Sequence, residues 1–77
     1  MLTLELISVT QNKVSYRIFP EGTFSNGIIE SNLGNEFNFS FKNAETIDSK
    51  YKNKAITLLR RMFKNNNFPD SEMIAWY

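Results

Sequence analysis

The chain has 77 residues, 42% of them hydrophobic and 14% aromatic, with a formal net charge of +1, which fits one small domain spanning 1–77 with a single core. It contains no histidine and no cysteine, and this excludes Ser-His-Asp and Cys-His nucleophile systems, tetrahedral zinc centres and disulfide frameworks. Packing, alone or helped by a second copy of the chain, has to supply the stability that covalent or metal staples give many domains of this size.

The amino-terminal stretch 1–9 lacks the basic start and small-residue cleavage site of a secretory signal. No apolar run approaches the ~20 residues that cross a bilayer. With no cysteine to oxidise, the expected setting is a reducing one, so the location expected is cytoplasmic and no membrane partner is expected.

Over 2–9, Leu2, Leu4 and Leu6 alternate with Thr3, Glu5 and Ile7, the period of two that sends one row inward and the other outward. Gln11-Asn12 supplies a turn, and 13–19 then alternates Val14, Tyr16 and Ile18 against Ser15, Arg17 and Phe19, so the two segments predict an antiparallel hairpin. Pro20 has no amide for a ladder and ends the second strand. The stretch 20–27 reads as the longest loop, with Asn26-Gly27 able to take positive φ. A short third strand follows over 28–31. The clearest alternation is over 36–41, with Phe37, Phe39 and Phe41 on one face and Glu36, Asn38 and Ser40 on the other, which predicts a fourth strand.

The period then changes. Ile47, Tyr51, Ala55, Leu58, Leu59, Met62 and Phe63 recur at spacings of three and four, the stripe of an amphipathic helix. Its start falls between 43 and 49. Capping by Asp48 or Ser49 would leave Lys50 and Lys52 in a first turn whose amides already carry positive charge, whereas a start at Asn43 would place Glu45 there and bring Ile47 onto the apolar face. The helix should fray after Lys64, where three asparagines follow. Beyond the Phe68-Pro69-Asp70 turn, 73–77 is too apolar for a solvated tail and predicts a fifth strand or docked arm.

These elements give an α+β fold: a four-stranded antiparallel β-meander, one amphipathic helix packed on one face, and a short carboxyl-terminal extended segment. The simplest two-layer solution sets the helix across the Phe37/Phe39/Phe41 row, with Leu2, Leu4, Leu6, Val14, Tyr16 and Ile18 completing the core. On that arrangement, truncating Phe39 or Leu58 to Ala costs ~2–5 kcal/mol.

Charge is segregated along the chain. Residues 50–64 hold six bases and no acid, while six of the eight acidic residues lie in 1–49 and the other two in 65–77. At about 100° per residue, Lys50, Lys54, Arg60, Arg61 and Lys64 share an arc of roughly 120°. A basic stripe of this kind suits a phosphate backbone, and it equally suits a helix face that only needs solvation. The three alternating phenylalanines would stack bases only on an uncovered sheet face, so the helix's need for a cover assigns them to the core. Phe24, alone among small polar residues in a loop, is expected to fold back onto the core, and Trp76 and Tyr77 to close one of its edges; the alternative is that these three aromatics meet a partner.

Catalysis has the least support. Glu5, Glu21, Glu30, Glu36, Glu45, Asp48, Asp70 and Glu72 occur singly, with no paired-carboxylate or metal-loop spacing, and the glycines match no nucleotide-binding fingerprint. No enzyme activity, catalytic residue, metal or cofactor is therefore expected. The sequence points to a binding module whose partner is another protein or a second copy, since an open sheet leaves unpaired edges. Nucleic-acid binding through the helix face at 50–64 is the alternative.

Overall fold

The computed structural model describes residues 1–34 and 36–75. In chain order the elements are β1 (Leu2–Val9), β2 (Lys13–Pro20), β3 (Ile28–Asn32), β4 (Ser40–Lys42), α1 (Ser49–Asn65) and β5 (Ser71–Ile74). The strands form one antiparallel sheet in the order β4-β3-β2-β1-β5. This is the expected meander with its helix. The carboxyl-terminal segment does form a fifth strand, running from Ser71 opposite Glu5 to Ile74 opposite Leu2.

Local chemistry sets the β1–β2 register. Thr10 Oγ1 accepts from the amides of Asn12 (3.2 Å) and Lys13 (3.1 Å), while the Thr10 amide donates to the Lys13 carbonyl (2.8 Å). Its hydroxyl stands in for a backbone acceptor inside the turn. From there Leu6 pairs with Tyr16, Tyr16 with Ile29 and Ile29 with Phe41, a continuous row on one face. A bulge between Leu6 and Ser8 leaves Ile7 as the extra residue, half exposed, as an unpaired bulge position allows.

Helix α1 covers that face. Leu2, Leu4, Val14, Tyr16, Ile18 and Ile29 are buried against Ala55, Leu58, Leu59 and Met62. Each large apolar side chain fully withdrawn from water contributes ~1.5–3 kcal/mol before chain entropy is counted. Tyr16 is the largest of them, and its hydroxyl donates to the Pro69 carbonyl at 2.6 Å. That bond ties the middle of the sheet to the turn that launches β5.

The helix takes the later of its two candidate starts. Asn43 sits at φ 54°, which no helical residue adopts, and the chain turns once through the Ile47 N–H to Ala44 carbonyl bond (3.1 Å). Ile47 is buried from this turn rather than from the helix. Asp48 then caps, its Oδ1 accepting from the Lys50 amide at 3.0 Å. At the far end Asn66 takes the left-handed conformation (φ 50°), a common stop.

Two expectations are corrected. The fourth strand is three residues long rather than six. Ahead of it the chain is held to β3 by side chains, with Ser31 Oγ donating to the Asn38 carbonyl and the Asn32 amide donating to Asn38 Oδ1, so no ladder fixes which way 36–39 points. Alternation assigns faces only where strands pair. Phe37 reaches the helix, its ring 5.7 Å from that of Phe63, and Phe41 is half-buried beside Ile29. Phe39, in contrast, is 41% exposed at the rim. The second correction concerns Gly27, which has no positive φ; Glu21 and Gly22 do. A Cβ at Gly27 would run into the Cδ1 tip of Ile47, which would have to move aside.

Candidate functional site

The sequence directs attention first to the helix. Lys50, Arg60, Arg61 and Lys64 are exposed and Lys54 is half-buried, so the basic arc does face away from the sheet. It is not a uniform stripe. Lys50 lies over the Tyr51 ring (5.1 Å to its centroid) and Arg60 over the Phe37 ring (5.2 Å), an attraction between cation and ring face. Among the described residues, no carboxylate forms an ion pair with Arg60, Arg61 or Lys64. Trp76 and Tyr77 lie outside the described residues.

The opposite face of the sheet has no helix over it. The residues between the buried ones point there: Thr3, Glu5, Ser15, Arg17, Phe19, Ile28, Glu30, Ser40, Lys42 and Met73. Across β5, β1 and β2, Met73 pairs with Thr3 and Thr3 with Phe19. Phe24, from the loop after β2, meets Phe19 edge-on (centroids 6.3 Å apart) and carries the Arg17 guanidinium at 5.5 Å. The expected fold-back of this loop aromatic onto the core does not occur. Phe24 rests on the open face with 65% of its surface exposed, and Met73 beside that row is 58% exposed.

A second group at the other end of the same face follows from register alone. Glu30 on β3 is paired with Ser15 on β2 and Ser40 on β4. Lys13 and Lys42 lie two residues along those neighbouring strands, the diagonal positions from which long side chains reach across. Lys13 Nζ meets Glu30 Oε2 and Lys42 Nζ meets Oε1, both at 2.9 Å, and Ser15 Oγ donates to Oε2 at 3.3 Å. The Glu30 side chain is only 8% exposed, whereas those of Lys13 and Lys42 are 50% and 61% exposed. The hydrogen bonds from Lys42 and Lys13 outweigh burial and hold the Glu30 carboxyl far below its ordinary value, at about 2. A hollow of about 350 Å³ opens over the three charges, walled by Asn32, Asn38 and Phe39.

Nothing in the local sequence marks this cluster. Lys13, Glu30 and Lys42 belong to three strands, and without the register each reads as an outward-facing charge. The one available signal is the meander order, which sets 13–19 beside 28–31; the register that pairs Ser15 with Glu30 comes from the structure.

Comparison with protein-family models, with curated proteins and with solved structures gives no match. Among the described residues no helix is long and apolar enough to cross a membrane, and no three metal-ligating side chains gather.

Proposed function

We propose that this chain is a non-catalytic binding module, working in the cytoplasm, whose main contact surface is the uncovered face of the sheet and whose partner is a second copy of itself. The observation that carries the reading is the exposure of Phe24 and Met73 along one row of that face, beside half-buried Phe19 and Ile28. Large apolar side chains grouped on one surface favour association. The charges at this end of the face are balanced, with Arg17 paired against Glu5, so two copies meet without strong repulsion. A non-catalytic role is supported by a sequence with no histidine and no cysteine and by the engagement of both Glu30 oxygens with lysines, which makes this carboxylate a poor proton acceptor.

Sedimentation equilibrium tests this. A two-chain mass at on the order of 100 μM, reverting to one chain in the Phe24→Ser/Met73→Ser variant with an unchanged melting temperature, supports it. A one-chain mass for the unaltered protein overturns the self-association and leaves a different protein as the partner.

The helix supports a second reading, nucleic-acid binding, because Arg60, Arg61 and Lys64 stand exposed on an element with no acidic residue. It requires anisotropy changes with mixed-sequence DNA or RNA that weaken steeply with salt and vanish in Arg61→Glu/Lys64→Glu.

A further inference from the structure

The hollow at the β2–β3–β4 end of the open face holds more positive charge than its own chemistry needs. One lysine neutralises Glu30. The second leaves the trio with a surplus of one positive charge, fixed in place because each ammonium is anchored 2.9 Å from a carboxylate oxygen. An ammonium has three N–H donors, and each of these spends only one on Glu30, leaving the rest for the hollow. Asn38 adds another donor: its Oδ1 is already taken by the Asn32 amide, so its NH2 group is the free end. The Phe39 ring forms one wall and is 41% exposed. The hollow therefore joins a prepaid cationic seat, neutral donors and a flat apolar surface.

We propose that Lys13, Lys42 and Asn38 bind a phosphate group, and that Phe39 stacks on a ring carried next to that phosphate, so that the ligand class is a nucleotide. Lysine is a common phosphate partner, and Glu30, with both oxygens occupied, orients the two ammoniums rather than repelling the ligand outright. Flat rings stack on exposed aromatic side chains regardless of base identity. The same chemistry is offered by a free mononucleotide and by a nucleotide within a single strand. This site is separate from the helix bases and does not depend on what covers Phe24 and Met73.

The test is an amide-shift titration of the intact protein at constant ionic strength with inorganic phosphate, a 5′-mononucleotide and a short single-stranded oligonucleotide. The expected result is saturable shifts centred on Lys13, Ser31, Asn38, Ser40 and Lys42, with the mononucleotide saturating at concentrations about tenfold lower than phosphate. Tighter binding of the oligonucleotide than of the mononucleotide assigns the strand as source, and the reverse order assigns the free nucleotide. Lys42→Met should abolish the shifts while Lys64→Met leaves them unchanged. Because Lys42→Met also loosens Glu30, Phe39→Ala provides the second arm: phosphate binding persists and the preference for the ring-bearing ligand disappears. Shifts that never saturate, that spread equally to Arg60 and Lys64, or that survive Lys42→Met overturn the assignment.

Discussion

The two faces of this sheet are made by the same strands and differ in what closes them. Under the helix, Leu2 and Leu4 of β1 and Val14, Tyr16 and Ile18 of β2 are buried, and the polar groups among them are bonded, Tyr16 donating to Pro69 and Ser31 to Asn38. On the other face no element packs, and the side chains there stabilise one another instead: Arg17 on Phe24, Phe24 on Phe19, Lys13 and Lys42 on Glu30. The covered face stores the folding energy. The open face carries the recognition chemistry proposed above, because contacts made in reach of water contribute little to stability and remain available to a ligand.

Substitutions should separate the faces by size of effect. The largest loss belongs to Leu58→Ala or Leu4→Ala, at ~2–5 kcal/mol, a large share of what a domain this small possesses. Phe39→Ala, expected from alternation alone to cost as much, should cost about 1 kcal/mol or less because the ring is at the rim. Chemical denaturation of the three variants side by side checks the contrast, and equal losses would erase it.

Tyr16→Phe comes next, at about 1 kcal/mol, since it removes one hydrogen bond from the core and keeps the ring. Burial first, then the Glu72 and Asp70 charges, push the Tyr16 hydroxyl up to about 12. A raised value means the neutral form is favoured on folding, so stability is intact below pH 10 and declines as pH climbs toward 12. Tyr16→Phe should flatten that alkaline decline.

Glu30→Gln has a similar effect at neutral pH, about 1 kcal/mol, because both lysines regain water when the charge is removed. Its signature is at the acid end. A carboxyl held at about 2 in the folded chain and ordinary when unfolded contributes stability that is present above pH 4.5 and lost as pH falls toward 2. Urea midpoints of the unaltered chain between pH 5 and 2 should drop by more than those of Glu30→Gln. The smallest change is expected for Phe24→Ser, within about 0.5 kcal/mol, even though it is placed to alter association most.

The sequence makes the covered face readable and the open face almost unreadable, for a physical reason. Leu2, Leu4, Val14, Tyr16 and Ile18 alternate because water excludes them, and Leu58, Leu59 and Met62 repeat at helical spacing for the same cause, so pattern and burial agree. Lys13, Glu30 and Lys42 carry no pattern, because their meeting depends on the pairing register of three strands. Phe39 misleads because its alternation with Phe37 and Phe41 continues past the point where pairing stops. Phe24 reads from its loop as an aromatic for the core or for a partner, and the open face on which it rests has no signature in the sequence. Four of the five helix bases stand exposed as their spacing predicts and Lys54 is half-buried, while Arg60 lies over Phe37, a contact no helical wheel shows.

The most direct test of the division between faces is an amide-shift dilution series of the unaltered protein in phosphate-free buffer, from about 1 mM to 10 μM. Shifts that move with concentration at Thr3, Arg17, Phe19, Ile28 and Met73 while Arg60 and Lys64 hold still are the predicted result. Movement centred on the helix instead, or no movement anywhere, contradicts the open face as the surface on which two copies meet.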